Sequence, residues 1–103
     1  MIERYHFLRL REPYRSPEQR RDTAQRIAQA LSELPGVLSL RCGVPADDDA
    51  GKAWDLSLTI CFQSLADVEA YRAHPDHRRF VDEYLAPRLA DKKIWNFEVS
   101  PSS

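Results

Sequence analysis

Residues Trp54 to Phe62, WDLSLTICF, alternate without a fault: Trp54, Leu56, Leu58, Ile60 and Phe62 share one parity, Asp55, Ser57, Thr59 and Cys61 the other. That is a strand with one strongly apolar face, which needs helices over it. The helix arrives at once. Ser64 with Asp67 three residues later is a start signal, the hydroxyl accepting from an unpaired backbone N–H. Pro75 then disfavours helical backbone at His74 while suiting the first turn of a new helix. The spacing therefore predicts a helix ending near Tyr71 and a second one opening at His77. In that second helix His77, Phe80, Val81 and Tyr84 fall at i, i+3, i+4 and i+7, so the histidine points where the apolar side chains point.

The rest of the chain fits around this unit. Residues 3–10 alternate, with His6, Leu8 and Leu10 on one face and Tyr5, Phe7 and Arg9 on the other, so both faces are expected to be covered. Ser16-Pro17-Glu18-Gln19 is a capping box, and the helix it opens runs to Leu34 with Ala24, Ile27, Leu31 and Leu34 as an apolar stripe. Pro35-Gly36 stops it. Val37 to Gly43 reads as a strand, residues 44–52 as a polar surface loop, and residues 94–100 (IWNFEVS) as a last strand after a polar approach over 88–93. Pro101 to Ser103 read as a frayed tail.

Strand, helix, strand, strand, broken helix, strand is the order of a ferredoxin-like split βαβ fold, of α+β class. It has a four-stranded antiparallel sheet with helices on one face and the first and third strands at its centre. One domain over residues 1–103 suffices for this length. The uncovered face carries Tyr5, Phe7 and either Trp95 or Phe97, enough aromatic area to expect a symmetric dimer packing sheet against sheet.

Composition narrows the partners. With 30% charged residues and a formal net charge of -1, no global field recruits nucleic acid, and the Arg20-Arg21 and Arg78-Arg79 pairs read as solvated helix faces. No apolar run approaches the roughly 20 residues of a membrane span. Cys42 and Cys61 lack CxxC spacing and follow no signal peptide, so reduced thiols in a cytoplasmic protein are expected. Three histidines and two distant cysteines form no recognised metal site, and consecutive Asp47, Asp48 and Asp49 project apart as a solvated turn. No metal and no cofactor is called for.

The chain resembles the Dabb family, the stress-responsive dimeric α/β-barrel domain, over about residues 2–98. The residues that carry the resemblance are His6 in the first strand, LPGV at residues 34–37, the WDLSLTICF strand, and Phe62, Ser64, Val68, Tyr71, His74, Pro75, His77 and Phe80. It implies a homodimeric barrel of ferredoxin-like subunits. One branch, the plant olivetolic acid cyclases, closes a linear polyketide by aldol condensation without a cofactor, and its catalytic tyrosine and histidine resemble Tyr71 and His77. The chemistry suits the pair: imidazole is a base near neutral pH, and a phenolic O–H can orient it or donate to an enolate oxygen.

The expected site is thus a small-molecule pocket between sheet and helices. His77 and Tyr71 are its catalytic candidates, and His6, Leu56, Leu58 and Ile27 its substrate-binding wall, suited to a small apolar or aromatic ligand. Few polar partners are expected on that wall. The helix N-terminus and burial should both keep His77 neutral. The alternatives are a cofactor-free cyclase or lyase-like enzyme with His77 as base, and a purely structural stress-associated dimer in which Tyr71 and His77 satisfy the broken backbone. His74 reads as a cap.

Overall fold

Alternation in the first strand becomes alternating burial in the computed structural model, which describes residues 1–100. The tail expected over Pro101 to Ser103 lies outside the described residues. Strand β1 (Ile2–Leu10) buries Ile2, Arg4, His6, Leu8 and Leu10 and leaves Glu3, Tyr5, Phe7 and Arg9 half-buried on the other side. It is followed by helix α1 (Pro17–Leu31), strand β2 (Ser39–Gly43), helix α2 (Asp48–Ala53) and strand β3 (Leu56–Phe62). Helices α3 (Leu65–Ala73) and α4 (Pro75–Phe80) and strand β4 (Leu89–Glu98) complete the chain. The sheet is antiparallel throughout, in the order β2-β3-β1-β4, so the first and third strands are central as their connections require.

Local chemistry sets the helix ends. Ser16 accepts from the Gln19 N–H, with Pro17 at the first helical position, and Ser64 accepts from the Asp67 N–H. Helix α1 ends at Leu31, three residues before the expected Leu34. The chain leaves it through turns in which Leu34 N–H bonds to the Leu31 carbonyl and Val37 N–H to that of Leu34. Gly36 sits at φ +90°, a backbone conformation open to glycine, and lies against Asp67. Leu34 still reaches the core without being helical.

Three expectations are corrected by the structure. Within the 44–52 loop, Asp47 accepts from Ala50 N–H and caps the short helix α2, which Asp48 and Asp49 open. Acidic side chains in a first turn suit the positive end of the helix, so the aspartate run is a helix start. Strand β4 begins at Leu89 and not at Ile94. The polar residues 91–93 pair with Phe7, Leu8 and Arg9 of β1, because edge-strand backbone bonds do not depend on apolar side chains.

The third correction concerns Trp54 and Asp55. Trp54 closes α2, its N–H bonded to the Ala50 carbonyl, and its ring lies against Phe7 on the open face, 6.1 Å between centroids. Asp55, which by parity falls opposite the apolar face, is 0% exposed. Its carboxylate accepts from Leu10 N–H at 2.7 Å, where the β1–β4 register shifts, from Arg20 at 2.6 and 2.9 Å, and from Arg15. Arg20 is therefore not a solvated residue. It neutralises a buried charge that ties β1 to α1.

The core packs Leu8, Leu10, Leu56, Leu58, Ile60 and Phe62 of the sheet against Ile27, Leu31, Val68 and Tyr71 of the helices. Cys42 pairs with Leu58 on the covered face and Cys61 with Ser39, one strand position out of phase, on the open face. Both are free thiols, and the sheet itself stands between them. Burial raises the Cys42 thiol to about 11. Removing the Asp55 carboxylate should strand Arg20 and the Leu10 N–H together. Asp55→Ala is expected to lose about 3 kcal/mol in urea unfolding with an unchanged slope; an unmoved midpoint would show that this network contributes no net stability.

Candidate functional site

The proline corner behaves as its sequence dictates. His74 has extended backbone (φ -61°, ψ 133°), ends α3, and caps α4 through Nδ1, which accepts from Asp76 N–H at 3.1 Å. It is a cap. Beyond Phe80 the chain stays helical but widens into a π-helical turn over Val81–Leu85 and a 3₁₀ turn over Ala86–Arg88. His77, Val81 and Leu85 face one interior space, while Phe80 and Tyr84 stack on each other at 5.1 Å beside it.

That space is a cavity of about 170 Å³ between the covered sheet face and the helices. Its polar wall consists of Arg4 and His6 from β1, Tyr71 and Arg72 from α3, His77 from α4 and Lys92 from β4, and its apolar wall includes Leu8, Leu31, Leu58, Val81 and Leu85. Tyr71, His77, His6 and Leu58 are thus brought together. Ile27 and Leu56 are not on this wall: Ile27 is fully buried in the core, and Leu56 lines a separate crevice with Phe7 and Trp54 at the sheet edge. Arg72, His77 and Val81 also line an outer cleft with Glu69, Arg78 and Asp82, so they stand between the cavity and the surface.

The lining is more polar than the sequence suggested, and Arg4 is the main reason. It lies on the covered face between Ile2 and His6 and is only 9% exposed. Its Nη1 donates to Asn96 Oδ1 across the strand pair at 3.0 Å, and its Nε has no partner. Strict alternation from His6 would have placed it on this face. Arg4 is not among the residues singled out from the sequence, and periodicity was the signal that could have found it.

Tyr71 is buried, with its ring 5.0 Å from Phe62 and 4.4 Å from His77 between centroids. The tyrosine–histidine contact is therefore made ring to ring. Burial pushes the Tyr71 hydroxyl well above the ordinary phenol value, so it stays a donor at any working pH. Nδ1 of His77 is buried without a hydrogen-bond partner. Its pKa is lowered, first by burial and then by the charges of Arg4 and Arg72, against the opposing Arg72 carbonyl and Asp82. The imidazole is neutral at pH 7 as expected, with burial as the leading cause. His6 donates from Nδ1 to the Leu58 carbonyl at 3.1 Å, which leaves Nε2 as an acceptor. Burial and the Arg4 charge lower its pKa to about 4. Among the described residues no group of three or more His, Cys, Asp or Glu could hold a metal ion.

The family model of the stress responsive A/B barrel domain, Dabb, matches residues 2–99, and the chain belongs to that family. No curated protein matches it. A Dabb family protein with a ferredoxin-like fold from Mesorhizobium loti is 19% identical, with a TM-score of 0.79 over 97% of each chain. A dimeric ferredoxin-like protein from Thermobifida fusca is 22% identical, with a TM-score of 0.78 over 95% of this chain and 90% of its own. The hydroxynitrile lyase from Passiflora edulis is 14% identical, with a TM-score of 0.76 over 99% and 95%. At these identities the likeness is one of fold, and an enzyme shares that fold with proteins described only by their architecture.

Neutral burial of His6 has a pH consequence. Between 6.5 and about 4 the unfolded chain binds a proton that the folded chain refuses, so stability falls as pH drops through that window. Over it the parent should lose about 1.4 kcal/mol more per pH unit than His6→Gln. Urea melts at pH 6.5, 5.5 and 4.5 measure this; parallel losses would mean that His6 titrates normally.

Proposed function

We propose that the protein is a homodimer that binds a small organic molecule in the cavity beside Tyr71 and His77 of each protomer. The observation that carries this is the cavity itself, fronted by His6, Tyr71 and His77, with no group among the described residues in hydrogen-bond geometry with His77 Nδ1, although the Arg72 carbonyl lies near the ring. A purely architectural histidine in a packed interior has both nitrogens satisfied. Here the unsatisfied one belongs to a ring that fronts an open space together with His6 and Tyr71, a place for a ligand's polar group.

The neutral imidazole also favours a catalytic use of the same site. A half-buried base that is unprotonated at pH 7 can take a proton from a carbon next to a carbonyl. The Tyr71 hydroxyl would then donate to the oxygen on which charge develops. Ring contact at 4.4 Å holds the two side chains in fixed relation, so the pair is organised before the ligand arrives.

The dimer reading rests on the other face of the sheet. Tyr5, Phe7, Trp95 and Phe97 form an aromatic surface there, with Tyr5–Phe97 centroids 5.6 Å apart and Phe7–Trp95 centroids 6.3 Å apart. Trp95 is 48% and Phe97 54% exposed, a large apolar patch for a single chain. A two-fold axis through that face would bury it against its own copy, and the Thermobifida relative is described as dimeric, which supports a dimer. No helix of the described residues is long and apolar enough to cross a membrane. With two free thiols, we assign the dimer to the cytoplasm.

Light scattering at micromolar concentration should give about twice the 11.9 kDa chain mass, and Phe7→Glu should give the monomer. A monomeric parent would remove the dimer reading. For the site, a thermal-shift screen of small carbonyl compounds and organic acids should find stabilising ligands for the parent, and His77→Gln should lose their effect while keeping the dimer. Because Nδ1 makes no hydrogen bond of normal geometry in the protein, that substitution should change unliganded stability by less than about 1 kcal/mol. A large drop in melting temperature, with no ligand found for the parent, would make His77 architectural.

A further inference from the structure

The chain buries two charges on the covered side of its sheet and treats them in opposite ways. Asp55 is saturated by two arginines and a backbone N–H. Arg4 has a neutral amide, Asn96, and nothing else among the described residues. Taking a guanidinium out of water costs several kcal/mol unless an anion or several acceptors replace the lost hydration. The nearby acid Glu69 is exposed and pairs with Arg72 at 3.3 Å. Arg4 is left uncompensated.

What faces it is the cavity. Arg72 and Lys92 add positive charge at its rim, and no aspartate or glutamate lines it. With Nη1 engaged by Asn96, Nε and Nη2 have no partner among the described residues, and this side-on pair is the fork that holds both oxygens of a carboxylate once Nε, closed off in the free protein, opens to the cavity. The remaining wall is made of the His6, Tyr71 and His77 rings and aliphatic side chains, and the volume is close to the roughly 150 Å³ that accommodates benzene in an engineered cavity.

We propose that the cavity is a receptor for a small apolar monocarboxylic acid of about benzoate size, its carboxylate held by the side-on edge of Arg4. This rests on the cavity being a ligand site and adds the charge and size of what enters it. The carboxylate completes the hydrogen bonding of the guanidinium and neutralises it. The aliphatic side chains take the ligand's apolar body, beside the His6, Tyr71 and His77 rings. A buried cation that lacks an anion in the free protein is a device for selecting anions, because a neutral ligand of equal shape leaves the charge unpaired.

The experiment is titration calorimetry of the full chain with benzoate, with benzyl alcohol as the neutral counterpart and sulfate as an anion without an apolar body. Benzoate should bind about ten- to a hundredfold more tightly than benzyl alcohol, the range expected for charge-assisted hydrogen bonds, and sulfate should not compete. Arg4→Met keeps length and apolar volume; it should erase the preference for benzoate while melting no lower than the parent, since it removes an unpaired buried charge. Benzoate binding that survives Arg4→Met would overturn the proposal. Equal affinity for benzoate and benzyl alcohol in the parent would overturn it too, yet leave the cavity as a ligand site, and this comparison needs no variant to fold. Binding of neither probe would overturn the proposed acid and its size, and a negative carbonyl-ligand screen would then remove the cavity reading as well.

Discussion

Strand β1 is the constraint on which the rest depends, because it is paired on both sides. Hydrogen bonds to β3 and β4 lock its register twice, and its side chains divide without exception between the two faces. A slip of one residue would turn Arg4 and His6 out to solvent and put Glu3 and Tyr5 under the helices. Both candidate surfaces of this Dabb domain follow from that single alignment. The inner row supplies Arg4, His6 and Leu8 to the cavity, and the outer row supplies Tyr5 and Phe7 to the aromatic face.

The cavity exists because the helical layer does not close over that inner row. His74-Pro75 interrupts the helix, and the widened turn over Val81–Leu85 shifts the backbone again before β4. A straight helix would lay a continuous apolar stripe on the sheet and fill the space. Two interruptions instead leave a gap between Tyr71, His77 and Leu85 that polar rings can front. The broken helix thus provides room, the central strand provides polarity, and neither alone makes a site.

Charge placement shows the same division. Asp55 with its arginines is closed on itself and fastens the start of β3 to α1 and β1. Arg4 is open toward the cavity. In a chain with nearly balanced charge, the difference lies entirely in which acidic and basic residues the fold brings within reach of each other. That is why the clusters visible along the chain, Arg20-Arg21 and the three aspartates, did not reveal it.

Much was nevertheless legible from residue order alone. Alternation in residues 3–10 and 54–62, the Ser16 and Ser64 caps and the His74-Pro75 break determined the element order apart from α2, the central strands, the face on which His6 lies and the neighbourhood of Tyr71 and His77. These signals are local, since backbone geometry and capping act within a few residues. Tertiary structure alone decided that Asp55 is buried, that Trp54 crosses to the open face, that Ile27 and Leu56 are absent from the cavity wall, and that Arg4 and Lys92 belong to it. Each of those outcomes turns on contacts between elements far apart in sequence, Asp55 with Arg20 and Leu10, Arg4 with Asn96. A charged residue's own preference for water is overridden only when the fold, through distant partners or strand register, fixes its place.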